Sequence, residues 1–198
     1  MSLHSLNNLV EKPVILASKS PRRAELLKLI GLSFKVIPGD IDERSIYIPV
    51  PDHHVLTLAA KKARKVGESI DEGIIIGADT IVVIKGDILG KPENEEEARE
   101  MLRKLSGQSH EVFTGFAFLD RPTDQIMTGY DRTTVTFRKL SDDEIESYIK
   151  TGNPMDKAGA YGIQDESAVF VKRIEGCFYN VVGLPLSRFY CTFLEFCK

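Results

Sequence analysis

Residues 18–23 carry the densest group of potentially reactive side chains in the chain. They read Ser18-Lys19-Ser20-Pro21-Arg22-Arg23, between a short apolar run and an amphipathic segment. A junction between a strand and a helix exposes backbone N–H groups at the positive end of the helix dipole, where a phosphate is stabilised. Two arginines in the first turn oppose that dipole unless an anion cancels their charge, and guanidinium groups match phosphate oxygens. The segment indicates an anion site; the alternative is an exposed arginine pair beside a well-formed N-cap.

Asp79 is the second candidate for chemistry. It stands between two apolar stretches, residues 74–78 and 80–84, which predict a central buried strand. Because burying an unpaired charge is costly, this carboxylate should have a cation, a metal ion or several strong donors beside it. It would then act as a metal ligand or as a general base for water. The alternative is an aspartate that caps the end of a strand at a turn.

Two lysines and a glycine-rich loop are further candidates. Lys62 lies near the apolar stripe of a predicted helix, but it belongs to the run 61–65, which is typical of a solvated helix face. Lys91 precedes a proline, and its position indicates a surface residue as well. The loop 156–164 contains a lysine, a glutamine and two glycines that would permit close approach to a ligand. A flexible connection is the alternative for this loop.

The acidic residues of one loop and the histidines are weaker candidates for functional residues. Asp42 and Glu43 stand in a polar loop, as exposed acids or as ligands for Mg²⁺. His53, His54 and His110 lack metal-ligand spacing and a nucleophile partner, and we interpret them as structural or surface residues. The sequence contains no GxxxxGK[ST] phosphate loop.

The order of elements predicts an α/β fold with a mixed sheet and flanking helices. Strands are predicted at residues 14–17, 34–38, 74–84 with an interruption at 77–80, 88–89, 112–119, 128–138, 168–173 and 178–182. Helices are predicted at residues 21–31, 52–69, from the cap Asn94 to about 104, from the capping box of Ser141 and Glu144 to Lys150, and at 186–196.

Composition narrows the classes of partner. The chain has 198 residues and a net charge of −3, which indicates one domain over residues 1–198 and no global attraction to nucleic acid or anionic membrane. Three cysteines without a CxxC pair argue against a disulfide framework or a structural zinc site. Residues 1–11 are polar, and no apolar run approaches the roughly 20 residues of a membrane span. We expect a cytoplasmic protein that binds neither nucleic acid nor membrane.

Several segments resemble, in order, the motifs of the Maf family of nucleotide pyrophosphatases. Residues 16–23, followed by Glu25-Leu26-Leu27, are similar to the opening signature of the family, and residues 77–82 are similar to its central motif. The other similar segments are 91–92, 101–107, 112–115, 156–164 and 181–186. Together they extend from about residue 14 to residue 186.

This resemblance implies a fold related to the inosine triphosphate pyrophosphatases, with two lobes around a cleft, and a homodimer. It implies hydrolysis of a nucleoside triphosphate between its α- and β-phosphates with Mg²⁺ or another divalent cation such as Mn²⁺. The segments 78–80 and 156–164 are similar to the branch that prefers dTTP and UTP, rather than the branch that acts on 7-methyl-GTP. The implied catalytic residues are Lys62, Asp79 and Lys91; the substrate-binding residues are Ser18, Ser20, Arg22, Arg23, Thr80, Lys157 and Gln164; the metal ligands are Glu43 and Asp79.

One departure and two alternatives accompany this interpretation. After Gln164 the family usually has glycine or alanine, whereas this chain has Asp165-Glu166-Ser167, which could alter loop placement or base preference. A nucleotide-binding regulator related to cell division, without turnover, would use the same phosphate site. An enzyme that clears purine nucleotides such as ITP or XTP would share the fold but not the motif at residues 18–23.

Overall fold

The computed structural model describes residues 6–43, 45–46 and 48–198. Within these residues the strands are β1 (Val14–Leu16), β2 (Lys35–Val36), β3 (Gly73–Ile84), β4 (Asp87–Leu89), β5 (Ser109–Arg121), β6 (Ile126–Phe137) and β7 (Val171–Glu175). The helices are α1 (Pro21–Leu29), α2 (Pro51–Gly67), α3 (Glu95–Leu105), α4 (Asp142–Ile149), α5 (Phe178–Val182) and α6 (Leu186–Phe196). Short 3-10 helices cover Leu6–Leu9, Asn153–Asp156, Ala158–Ala160 and Glu166–Phe170.

The strands form one mixed sheet in the order β2-β1-β3-β5-β6-β7, with β4 paired to β3. β1 is parallel to both β2 and β3, whereas the pairs β3–β4 and β6–β7 are antiparallel. In the hairpin between β3 and β4, Lys85 and Gly86 both have positive φ, as a tight two-residue turn requires. The expected α/β class with a mixed sheet and flanking helices is confirmed.

The chain divides into two compact units, each with its own apolar core. The first comprises the chain up to Asp79 with residues 114–131 and 183–198, and the second comprises residues 80–113 and 132–182. The core of the first unit includes buried aliphatic residues of β1, α2, β3 and β5, together with an aromatic cluster of Phe116, Phe118, Phe189 and Phe193. The core of the second unit includes the buried faces of α3 and α4 with Phe137, Tyr161 and Phe170. The expected single domain over residues 1–198 and the expected cleft stay predictions.

Helix ends follow the local chemistry of the sequence. Asn94 accepts a hydrogen bond from Glu97 N at 2.9 Å, and Ser141 and Glu144 form the predicted capping box. Ser20 does occupy the N-cap position of α1, but its side chain makes no capping hydrogen bond. Within the described part of the chain, no helix has both the length and the apolar character needed to cross a membrane.

Three predicted strand features were wrong. β3 runs without a break through residues 77–80, so the predicted interruption is absent. Residues 178–182 form helix α5 rather than a strand, because the side-chain amide of Asn180 is buried and donates to Val112 O at 2.9 Å and Thr133 Oγ1 at 3.0 Å. The strand predicted to begin at residue 168 begins at Val171, after a 3-10 turn whose N-cap, Asp165, accepts from Ser167 N.

Candidate active site

Two hydrogen bonds hold the arginine-bearing start of α1. Arg23 Nε donates to Gly183 O at 2.9 Å, and Arg23 Nη1 donates to Ser18 Oγ at 3.2 Å. Ser18 is buried, and its hydroxyl oxygen also accepts from Ser20 N at 3.2 Å. Burial lowers the pKa of Arg23 from its ordinary value, while the negative charge of Asp79 opposes that change. The Arg23 guanidinium is therefore a positioned cation rather than a freely moving surface group.

Asp79, Lys62 and Glu43 form an ion triad in the same unit. Lys62 Nζ lies 2.7 Å from Asp79 Oδ1 and 2.8 Å from Glu43 Oε1. Lys62 is 7% exposed and Asp79 is 5% exposed, whereas the Glu43 side chain is 41% exposed. The partner that burial of Asp79 demands is thus a lysine ammonium. The sequence-based interpretation of Lys62 as part of a solvated face was wrong.

Close approach of α2 to the sheet places Lys62 over Asp79. A Cβ atom on Gly77, in β3, would lie 2.0 Å from Ala59 O, and one on Gly115, in β5, would lie 2.7 Å from the helix backbone one turn earlier. On the loop before α2, a Cβ atom on Gly39 would lie 2.7 Å from Lys62 O. Real Cβ atoms do not make such contacts, so these three positions require glycine. Sequence reasoning missed their role, although a glycine inside an apolar strand is a signal of close backbone approach.

The remaining predicted site residues lie in the second unit. Thr80 is half-buried and follows Asp79 directly in β3, whereas Lys91 and Gln164 are exposed. Lys157 is buried, and its Nζ donates to Asn153 O at 2.5 Å and to Asp156 Oδ1 at 2.6 Å. These contacts show that Lys157 organises its own loop. The substrate-binding or catalytic roles of these four residues stay predictions.

Asp165 fixes the loop that carries Gln164. Its carboxylate accepts from Tyr148 Oη at 3.1 Å and from Ser167 Oγ at 2.8 Å, and it lies 3.3 Å from Lys157 Nζ. The departure from the family pattern therefore places an acidic group inside the loop network, where it connects α4 with the residues around Gln164. Sequence alone could flag Asp165 but could not assign these partners.

The donor set of Glu43 and Asp79 fits a divalent cation. Their oxygens converge on one ammonium nitrogen, which shows that both carboxylates face the same cation position. Mg²⁺ takes oxygen ligands and is held by one or two carboxylates when substrate phosphates and water complete its coordination. Across residues 6–43, 45–46 and 48–198, no group of three or more His, Cys, Asp or Glu side chains is arranged to hold a metal ion.

Comparison with known sequences decides the family. A sequence model described as Maf-like protein matches residues 13–196. The chain belongs to the Maf family. The Maf resemblance inferred from the motifs is thereby confirmed over nearly the whole chain.

Curated relatives of this Maf chain cover most of its length. The dTTP/UTP pyrophosphatase of Caldicellulosiruptor saccharolyticus is 51% identical over 181 residues, which cover 89% of this chain and 91% of that protein. The dTTP/UTP pyrophosphatase of Clostridium botulinum is 50% identical over 190 residues, which cover 93% of this chain and 97% of that protein. Among solved structures, the Ham1 protein of Staphylococcus aureus has a TM-score of 0.51 at 13% identity, covering 94% of this chain and 100% of that one. The last comparison shows a shared fold.

Proposed function

We propose that this Maf protein is a nucleoside triphosphate pyrophosphatase that hydrolyses dTTP and UTP, and that modified pyrimidine nucleoside triphosphates are further substrates. The products are a nucleoside monophosphate and pyrophosphate. Relatives at about half identity that carry the name dTTP/UTP pyrophosphatase support the substrate class. The observation that carries the chemistry is the buried Asp79 carboxylate, which shares the Lys62 ammonium group with Glu43 in the unit that also holds Arg22 and Arg23.

The start of α1 would bind the triphosphate. Backbone N–H groups at a helix N-terminus and two guanidinium groups can neutralise phosphate charge, and the hydrogen bonds from Arg23 to Gly183 O and Ser18 Oγ reduce its reorganisation on binding. Ser18 and Ser20 would add hydroxyl donors to the same phosphates. Charge neutralisation and positioning are the main demands of phosphoryl chemistry.

Asp79 would orient the attacking water and accept its proton. A carboxylate has about four lone-pair sites, so the contact with Lys62 leaves Asp79 further acceptor capacity. In the protein without nucleotide Lys62 holds the carboxylate in position. With nucleotide bound, its ammonium group would provide positive charge close to the reacting phosphates. The water oxygen forms a bond to the α-phosphorus, the bond from that phosphorus to the bridging oxygen breaks, and pyrophosphate leaves with the bridging oxygen. This route needs no covalent nucleophile.

Glu43 and Asp79 are the proposed ligands of Mg²⁺ or Mn²⁺. When bound, the ion would polarise the phosphate oxygens and add positive charge as the bond between the phosphates breaks. The chain's own contribution is the convergence of two carboxylates, with Lys62 as their present counter-ion.

Residues of the sequence motifs would also contact the nucleoside. Thr80 and Gln164 are the proposed recognition residues, and Asp165 holds the loop on which Gln164 lies. Lys91 would assist catalysis. Lys157, which is held within its own loop, would bind the substrate. We further propose a cytoplasmic homodimer with a role in clearing the nucleotide pool, without nucleic acid or membrane partners.

A panel of canonical and modified nucleoside triphosphates tests the proposal. Pyrophosphate and monophosphate are measured together, with Mg²⁺ and with excess chelator. The expected result is metal-dependent release of pyrophosphate and monophosphate, in equal amounts, from dTTP and from UTP. Release from purine nucleotides alone would overturn the proposed substrate class, and binding of dTTP without any product would favour the regulator.

A further inference from the structure

Lys62 occupies the point on which two carboxylates converge, and the proposed position of the metal ion is the same. Its ammonium nitrogen contacts Asp79 Oδ1 at 2.7 Å and Glu43 Oε1 at 2.8 Å. A carboxylate pair without a cation between its members would repel, and Lys62 removes that repulsion in the protein without nucleotide. The same two oxygens therefore serve as the lysine's partners and as the proposed metal ligands.

The backbone of Lys62 is closely packed at this position. Gly39 packs so closely that an added Cβ atom would lie 2.7 Å from Lys62 O, and Gly77 packs against the same helix. The ammonium group can still move, because a lysine side chain has a flexible four-carbon stem. Lys62 can therefore exchange partners through side-chain rotation without displacement of α2.

Electrostatics opposes simultaneous binding of Lys62 and a divalent ion. Arg22, Arg23 and Lys62 already outnumber Glu43 and Asp79 by one charge, so a divalent cation would bring the site to a strongly positive total. A carboxylate has lone pairs for a second partner, but an ammonium group and a metal ion that share the same two carboxylates would lie close enough to repel each other. The negative charges of a triphosphate would cancel the excess and provide a new partner for Lys62 Nζ.

We propose that Lys62 excludes divalent metal from the nucleotide-free protein, and that a triphosphate relieves the exclusion by taking over the ammonium group. Metal and nucleotide would then bind as a coupled pair, each raising the affinity of the other. The identity of the nucleotide and the metal position at Glu43 and Asp79 rest on the proposed function, whereas the competition for that position rests on the contacts of Lys62.

The experiment measures Mn²⁺ binding to the nucleotide-free protein by electron paramagnetic resonance of the free ion. Lys62→Met keeps much of the side-chain length and removes the charge, and Lys61→Met on the exposed side of α2 is the matched control. Lys62→Met should bind Mn²⁺ at least about tenfold more tightly than wild type, because the competing ammonium is gone. Lys61→Met should bind within about twofold of wild type, because a solvent-exposed charge is strongly screened. Asp79→Asn combined with Lys62→Met should abolish the gain and thereby assign it to this site.

The direction of the change separates competition from a structural role. Disruption of the site would weaken metal binding in Lys62→Met, whereas removal of a competing cation strengthens it. Unchanged or weaker Mn²⁺ binding by a folded Lys62→Met protein overturns the proposal. Where Lys62→Met does not fold, Lys62→Gln is used instead. The proposal is also overturned if nucleotide-free wild type binds Mn²⁺ tightly and Asp79→Asn removes that binding. Failure of wild type to release pyrophosphate would contradict the proposed function. The Mn²⁺-binding results would not change, so the two failures can be distinguished.

Discussion

Gly77 tests how the site is positioned, because it lies where β3 meets the backbone of α2. Gly77→Ala adds a single methyl group. That carbon would lie 2.0 Å from Ala59 O, 3.0 Å from Ala59 C and 3.0 Å from Ala63 N. All three neighbours are backbone atoms of α2, so no side-chain rotation can relieve the contact.

The size of the effect follows from this geometry. Ordinary contacts between non-bonded heavy atoms are about 3.5 Å, so strand and helix must separate locally by roughly 1 Å or more. Overpacking of a well-packed core typically costs about 1–3 kcal/mol and occasionally more. Because the obstruction is backbone on both sides, we expect a loss of about 3 kcal/mol or more in the free energy of unfolding. The same displacement would stretch the contact of 2.7 Å between Lys62 Nζ and Asp79 Oδ1, so turnover should fall in the fraction that remains folded.

Urea unfolding followed by far-ultraviolet circular dichroism measures the change in stability, with pyrophosphate release measured on the folded protein. Gly90→Ala is the matched control, because a Cβ atom there has nothing within 4 Å and the residue has no positive φ. Its free energy of unfolding should stay within about 0.5 kcal/mol of wild type. A Gly77→Ala protein as stable and active as the Gly90→Ala control would refute the argument that glycine is required for helix approach.

Three further predictions concern the phosphate site, a buried histidine and the loop at Asp165. Arg23→Ala should weaken binding of a non-hydrolysable dTTP analogue by about tenfold to a hundredfold, since hydrogen bonds to charged groups contribute about 1.5–3 kcal/mol, and should have little effect on the binding of thymidine. Calorimetric titration measures both affinities, and equal losses for the two ligands would contradict the phosphate assignment. Burial lowers the pKa of His110 to about 4 from 6.5, so the unfolded chain binds more protons between these values and the stability contributed by neutral His110 falls as pH decreases through that window. His110→Gln should therefore reduce the stability difference between pH 7 and pH 5 by about 2 kcal/mol, as urea unfolding at both values would show; an unchanged difference would contradict it. Asp165→Asn weakens the contacts with Tyr148 and Lys157, so amide hydrogen exchange in residues 153–167 should accelerate, whereas unchanged protection would mean that Asp165 does not hold the loop.

Local chemistry made much of the fold predictable. The cap at Asn94, the capping box at Ser141 and the last helix, Leu186–Phe196, involve neighbours in sequence, and all three are confirmed. α5 was missed because its residues, Phe-Tyr-Asn-Val-Val, favour a strand by propensity. The contacts of Asn180 with Val112 and Thr133, which are distant in sequence, override that preference.

The candidate site was predictable in its parts but not in its pairing. An aspartate in an apolar strand required a partner, but nothing local could show that the partner was Lys62, 17 residues earlier. The basic run 61–65 instead indicated a solvated face, because periodicity does not reveal how closely a helix approaches a strand. Gly77 and Gly115 decide that distance, and the helix backbone that they contact lies far from them in sequence.

The most direct test of the account compares pyrophosphate release from dTTP by wild type and Asp79→Asn in the presence of Mg²⁺. Circular dichroism confirms that the variant is folded, and calorimetry with a non-hydrolysable dTTP analogue measures its binding. The account predicts rapid release by wild type and loss of turnover in Asp79→Asn, with binding of the analogue largely retained. Near-normal turnover by the variant, or no release by wild type, would contradict the account.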